Sequence, residues 1–400
     1  MIPIKIAHLS DVHIGHYPGP FPLARYYDIE KILDWTADRL ITEKVDLVLL
    51  CGDCFKDAKV MLDRASQEIA SIVRFLRQLS SAGIETIVIS GTPSHDAVAA
   101  YELIKEMQIP YVTILTQPDI MTVRIGSQVT ADAEEITVAC LPGLNRSALL
   151  TNDDMKGLPP EQVHRIMTDK ITQLCMGMSA QMPNDKPKIL MAHITYQGAD
   201  KGFDDLLMQH EPILTREAVQ GFDLVCLGHI HKPQVIDNKV FYSGPVERLS
   251  FNEQDITPGF WIHELGGNQY FDSIGSCFIE TPARRYVTLE WGEGALNNYI
   301  DGEYISENLQ DAIVRLHYSC SEETAQQLNR KQLEKSLYDA GAFFVTEIKA
   351  DIERSDRARD NTVNESLSVP HALEKWCINQ NIDELEIKEL VSMVSGLMEG

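Results

Sequence analysis

The sequence predicts an α/β chain: a layered, mixed-sheet core with helices outside it, then a small α+β unit, then C-terminal helices. Three observations predict this. Apolar runs of four to six residues alternate with helical stretches, as in a largely parallel or mixed sheet. Five of these runs end on histidine or aspartate, at the strand carboxyl ends where α/β sheets bind ligands. Beyond about residue 271 this rhythm gives way to a shorter strand-helix-strand pattern.

Ile4-Lys-Ile-Ala-His-Leu-Ser10 reads as the first strand and leads into Asp11-Val-His13; His8, inside the strand, reads as a packed core histidine. A Gly- and Pro-rich loop follows, then a helix over 27–43 with Ile29, Ile32, Leu33 and Leu40 on one face. Asp46-Leu-Val-Leu-Leu-Cys51 is the second strand and ends at Gly52-Asp53. Cys51 and Cys54 have no second pair, and Cys51 belongs to the apolar run, so neither zinc nor redox chemistry is expected of them. A helix over 63–82 stops at Gly83. Glu85-Thr-Ile-Val-Ile-Ser90 precedes Gly91-Thr-Pro-Ser-His95-Asp96. After a helix over 97–107 come short strands and turns, including a strand over 137–141. Residues 153–179 read as mostly helical, with a Pro159-Pro160 start. Lys188-Ile-Leu-Met-Ala192 delivers His193, and Asp223-Leu-Val-Cys-Leu227 turns through Gly228 to deliver His229 and His231. Val240-Phe-Tyr-Ser243 closes the series.

Composition narrows the function. The chain has 400 residues, 44% hydrophobic and 24% charged, enough for two or three domains. Its 59 acidic against 35 basic residues give a net charge of -24, which excludes a stand-alone electrostatic nucleic-acid binder. Work on DNA would need cations or a partner to offset the repulsion. The eight cysteines are scattered and form no disulfide framework, which suits a reducing compartment. No secretory leader or membrane-length apolar stretch is present, so a cytoplasmic location without a membrane partner is expected.

The strand-end groups are Asp11 and His13, Asp53, His95 and Asp96, His193, and His229 and His231. This nitrogen and oxygen set, without thiolate, suits Mn²⁺, Fe or Zn²⁺. It has too many ligands for one ion. A carboxylate such as Asp53 can bridge two ions about 3.5–4 Å apart, an arrangement that hydrolyses phosphate esters. A histidine outside the metal shell, oriented by a carboxylate, can protonate the leaving oxygen; His95 with Asp96 fits that role.

These segments resemble the five signatures of the calcineurin-like metallophosphoesterases. Leu227-Gly-His-Ile-His-Lys-Pro233, Tyr242-Ser-Gly-Pro-Val-Glu-Arg-Leu-Ser-Phe-Asn-Glu253 and Glu280-Thr-Pro-Ala-Arg284 resemble, more narrowly, the SbcD family of DNA-repair nucleases. The resemblance implies two divalent ions, Mn²⁺ foremost. It places one on Asp11, His13, Asp53 and His231, and the other on Asp53, His193 and His229. Two positions depart from the family. Where it has Gly-Asn-His-Asp, with Asn as a ligand, this chain has the longer Gly91-Thr-Pro-Ser-His-Asp96, and Ser94 or Thr92 stands in for the Asn. Where the family tends to have a histidine after the bridging aspartate, Lys56 stands, a cation suited to a phosphate.

The resemblance also divides the chain into a nuclease domain over 1–270, a capping domain over 271–350, a linker over 351–368 and docking helices over 369–400. In the capping unit a strand at 312–318 leads to a helix from Ser321 to Ala340 and a strand over 343–350, while Arg284 and Arg285 are candidate DNA contacts. The implied function is a DNA exo- and endonuclease subunit acting as a homodimer with an SbcC-like coiled-coil ATPase. The rivals are a phosphodiesterase or phosphatase for small substrates, and a scaffold with weakened catalysis.

Overall fold

Each apolar run forms a strand because it has nowhere else to bury two faces. β1 (Ile4–Leu9), β2 (Leu47–Cys51), β3 (Glu85–Ile89) and β4 (Val112–Leu115) lie mutually parallel. β13 (Gly259–Leu265) and β14 (Gly275–Glu280) extend them antiparallel, so the first sheet runs β14-β13-β1-β2-β3-β4. A second six-stranded sheet runs β11-β12-β10-β7-β6-β5. Its parallel centre is β6 (Glu134–Leu141), β7 (Lys188–His193), β10 (Leu224–Gly228) and β12 (Val240–Tyr242), flanked antiparallel by β5 (Asp119–Ile125) and β11 (Gln234–Ile236). β8 (Thr195–Tyr196) and β9 (Ile213–Leu214) form a separate parallel pair. The computed structural model describes residues 3–17, 22–60, 65–94, 96–125, 134–144, 149–150, 157–202, 211–266, 275–302, 305–353, 367–380 and 382–398.

Two mixed sheets form the layered core expected, and the period-2 alternation of each strand shows how they pack. Leu47, Leu49 and Cys51 of β2 share one core with Ile189 and Met191 of β7 and Leu224 and Cys226 of β10. Val48 and Leu50 face a second core, built by the helices Pro22–Thr42, Ala65–Ser81 and Val98–Glu106. Leu190, Ala192, Val225 and Leu227 face a third, closed by the helix Pro160–Gln181. The order of layers is helix, sheet, sheet, helix. A strand buried on both faces reads the same whether a helix or another sheet covers it, so the sequence left this choice open.

The layer between the sheets holds His8 and His263, both wholly buried, with rings stacked 5.8 Å apart. His8 Nε2 donates to the Leu227 carbonyl across the layer at 3.0 Å, a tie between the sheets. Burial holds both imidazoles neutral: it pushes the His8 pKa down to about 4, and His263, with His8 beside it, well below the ordinary value.

The contacts divide the chain into two units, Met1–Val287 with Asp311–Ile313, and Thr288–Gln310 with Val314–Gly400. The first ends past residue 270 because the β13–β14 pair belongs to its first sheet. The second contains the sheet β15-β16-β17, from β15 (Tyr286–Trp291), β16 (Ile313–Ser321) and β17 (Phe344–Glu353). It therefore has a strand, and a helix at Glu293–Ile300, beyond the expected strand-helix-strand unit. The helix expected from Ser321 to Ala340 is two helices, Glu322–Gln327 and Arg330–Asp339. Ser321 caps the first, and Asn329 breaks the run by accepting the Gln332 N–H at 3.1 Å to cap the second. The helices Val369–Asn379 and Glu384–Met398 pack on each other and bury Cys377 and Ile387.

The buried histidines predict a pH effect. An unfolded histidine titrates near 6.5, so below about that pH the unfolded chain takes up protons that folded His8 and His263 refuse, and stability falls. Denaturant titrations from pH 7.5 to 5 should show a falling midpoint, and His263→Phe should flatten the fall. An unchanged slope in that variant would mean that the folded core admits the proton.

Candidate metal centre

Three strand ends of the first sheet and two of the second meet at one edge. There the backbone adopts conformations that side chains normally avoid: Asp11, His13, Asp53 and His229 have φ of 54°, 47°, 50° and 96°. The loops hold one another in place. Asp11 N–H donates to Gly52 O at 3.1 Å, His13 N–H to Asp53 O at 2.9 Å, and Ile14 N–H to Cys54 O at 2.9 Å. His229 N–H donates to both Asp11 carboxylate oxygens, at 3.1 and 3.2 Å, and joins the sheets. Close approach explains two glycines. A Cβ on Gly91 would stand 1.8 Å from Asp53 Oδ1, and one on Gly228 2.1 Å from Cys51 O.

Two groups of ligand atoms result, Asp11 with His13 and His231, and Asp11 with Asp53 and His193, each within 4.8 Å. Asp53 Oδ2 lies between them, 3.6 Å from His13 Nε2 and 3.3 Å from His193 Nε2. His229 belongs to neither group, but its ring centroid is 5.2 Å from that of His193. A third group, His8 with Cys226 and His263, lies in the core between the sheets, where burial pushes the Cys226 thiol pKa up and disfavours a thiolate ligand.

Two features fit a cation. His193 Nδ1 lies 2.8 Å from the Cys51 carbonyl and so must donate, which leaves the Nε2 lone pair of a neutral ring facing Asp53. That nitrogen is buried and makes no hydrogen bond among the described residues. Burial opposes charge on His193, but the Asp53 and Asp11 carboxylates outweigh it and push its pKa up to about 10. A proton answers there the same electrostatic demand that a metal ion would. The second feature is that His13 Nε2 and His231 Nε2 stand 3.1 Å apart. Two imidazole nitrogens on one ion, with bonds of about 2.1 Å at right angles, would stand about 3 Å apart.

The other expected residues have varied placements. His95 lies outside the described residues. Asp96 is wholly buried; Oδ1 accepts from Phe55 N and Ala97 N, and Oδ2 from Gly91 N and the Tyr101 hydroxyl. These four donors match a carboxylate's usual capacity, so Asp96 ties two loops together. Burial, then the Asp53 charge, push its pKa up to about 7. Ser94 is exposed, whereas Thr92 N–H donates to Asp53 Oδ1 at 2.8 Å and its hydroxyl is 3.4 Å from His229 Nδ1. Thr92 thus meets Asp53 through its backbone and His229 through its hydroxyl, while Ser94 lines the cavity that His193 and His229 also line. Lys56 Nζ pairs with Asp57 at 3.2 Å and lies 5.3 Å from the Tyr17 ring centroid. Arg284 forks onto Asp28 with both bonds at 2.8 Å and also pairs with Asp311, so its guanidinium is largely covered by carboxylates. Arg285 is exposed.

Two carboxylates with no role in the sequence reading hold the ligands. Glu253 accepts from His231 Nδ1 at 2.6 Å and, through its other oxygen, from Leu249 N at 2.6 Å. Glu211 accepts from His229 Nε2 at 2.7 Å, which leaves the His229 Nδ1 lone pair toward Thr92. Such partners set the tautomer and strengthen the ligand. Only their spacing in the fold identifies them, although Glu253 ends the motif that began at Tyr242.

The model of the calcineurin-like phosphoesterase family matches residues 4–233. The chain is similar to the SbcD subunit of the nuclease SbcCD from Escherichia coli strain K12 and from Escherichia coli O157:H7, 26% identical over 264 residues in each case. Those matches span 62% of this chain and 62% of the relatives' length. Among solved structures, GAP50, the anchor in the inner membrane complex of Plasmodium, aligns with a TM-score of 0.42 at 13% identity, over 70% of this chain and 85% of that one. No described helix is long and apolar enough to cross a membrane.

Removing the Glu253 carboxylate should weaken the adjacent metal group. Glu253→Ala is expected to lower Mn²⁺ affinity by about 10–100-fold, and Glu253→Gln by less, since an amide oxygen still accepts from His231. Calorimetric titration checks this. Equal losses in both variants would show that the carboxylate's charge, and not the hydrogen bond that glutamine keeps, sets the affinity.

Proposed function

The chain belongs to the calcineurin-like phosphoesterase family, and on that premise we propose that it is a metal-dependent DNA nuclease subunit hydrolysing phosphodiester bonds with two divalent ions, Mn²⁺ foremost. The observation that carries the reading is the pair of ligand groups sharing Asp11, with Asp53 Oδ2 between them. Asp11, His13, Asp53 and His231 would hold one ion, and Asp53, His193 and His229 the other. When bound, the ions would offset charge on the phosphate and lower the pKa of a coordinated water.

The chain's residues do the rest. Glu253 and Glu211 orient His231 and His229. Asp96 keeps the loop around residue 95 against the loop after β2, and His95 protonates the leaving oxygen. Lys56 and Arg285 meet the DNA backbone. The similarity to the SbcD subunit of the nuclease SbcCD supports DNA as the substrate, and the net charge of -24 explains why bound cations are needed for it.

The proposed partner is an SbcC-like coiled-coil ATPase, in a cytoplasmic assembly built on a homodimer. The proposed capping domain is the sheet β15-β16-β17 with its helices, so it begins after β14 rather than at 271, and the segment up to 368 links it to the docking helices. Exposed apolar side chains support docking: Trp376, Leu385, Met393 and Leu397 on the last two helices are 49%, 79%, 66% and 81% exposed. Their apolar surface suits insertion into a partner's groove.

Two experiments test this. The purified chain should digest linear duplex DNA with Mn²⁺ and not with chelator. His95→Ala should keep two equivalents of metal by elemental analysis while the rate falls by about 10²–10⁴-fold. Absence of Mn²⁺-dependent digestion, alone or with the ATPase, would reject the nuclease. Deleting 369–400 should abolish co-purification with the ATPase and leave the metal content unchanged; a truncated chain that still co-purifies rejects the docking role.

A further inference from the structure

A cavity of about 310 Å³ opens beside the second ligand group, with His193 and His229 in its wall. Leu141 and Ile194 from the ends of β6 and β7, Met167 and Ile171 from the helix Pro160–Gln181, and Pro212 give the wall an aliphatic side, and Thr92 and Ser94 add two hydroxyls to it. Glu211, the partner of His229, stands at it as well. No lysine or arginine lines it among the described residues.

This chemistry selects an occupant. Among the described residues of the wall an anionic phosphate finds no lysine or arginine, and Glu211 repels it. The volume sits at the low end of ligand pockets, about 300–1,000 Å³, and suits a single heterocycle with its sugar, too small for a base pair. The wall belongs to the core, with Met167 and Ile171 only 2% and 1% exposed, so it is formed in advance, and a methionine adapts to flat rings of differing outline. Taking a base out of the stack, as enzymes that do chemistry on a base must, costs about a few kcal/mol, least where the base is unpaired, so a frayed terminal nucleotide enters such a cavity most readily.

We propose that this cavity receives an unstacked nucleobase next to the phosphate being cleaved. The proposal rests on the nuclease reading and deepens it. It makes the preferred substrate a DNA end whose terminal nucleotide is frayed or mismatched. It also makes the preference rest chiefly on apolar burial, with Thr92, Ser94 and Glu211 the groups of the wall able to meet a base edge.

The test uses the full-length chain with Mn²⁺ and short duplexes ending in a paired nucleotide, a mismatched one, or an abasic analogue at the cleaved position. The mismatched end should be cut faster than the paired end, and the abasic end at least about tenfold more slowly than the mismatched end, as expected from lost apolar burial. In Met167→Phe, which fills the cavity, the ratio of mismatched to abasic rates should fall toward one. Equal cutting of mismatched and abasic ends by the unmodified chain overturns the pocket and leaves the nuclease standing. So does a ratio unchanged in a Met167→Phe chain that melts like the parent. If that variant does not fold, the comparison of ends in the unmodified chain decides alone. No hydrolysis of any duplex overturns the nuclease reading and the pocket with it.

Discussion

The Asp11 carboxylate is the joint on which this molecule depends. It is wholly buried, belongs to both ligand groups, and accepts the His229 N–H from the other sheet through both oxygens. Ser10 donates to it too, and is itself 2.6 Å from Ser243 of the second sheet's β12 end. A buried carboxylate is stable only when hydrogen-bonded and paired with positive charge. The same requirement that draws the loops together therefore creates the demand for a cation.

The surrounding strain follows from that joint. Four ligand residues adopt left-handed backbone, a cost of about 1–3 kcal/mol each that persists only where neighbours over-determine the conformation. Here the neighbours are the inter-loop hydrogen bonds and glycines at close approaches. Asp96 is part of this frame: its four donors come from the loops after β2 and β3 and from Tyr101. Burial opposes charge on His193, and the Asp53 and Asp11 carboxylates at this edge overcome it and raise its pKa.

Much of the first unit was legible along the chain. The strands ending at Leu9, Cys51, Ile89, His193 and Gly228 were readable because each is a short apolar run followed by a polar residue that cannot stay in the core. The division into two sheets was not, since alternation specifies two buried faces and not what covers them. Asn329 hid a helix break because a polar residue in a polar stretch carries no periodic signal. Arg284 read as surface because its partners, Asp28 and Asp311, lie 256 and 27 residues away.

The sequence by itself determined which side chains could hold a cation: Asp11, His13, Asp53, His193, His229 and His231 each follow a buried strand, and a polar group there must emerge at the sheet's edge. Only the tertiary structure decided that edges of two sheets coincide, that Asp53 lies between His13 and His193, and that Glu253 and Glu211 orient two of the imidazoles. Those relations join positions as far apart as Asp11 and His229, 218 residues along the chain. Local propensity does not act over such separations. They exist only once the apolar faces of the two sheets have found each other.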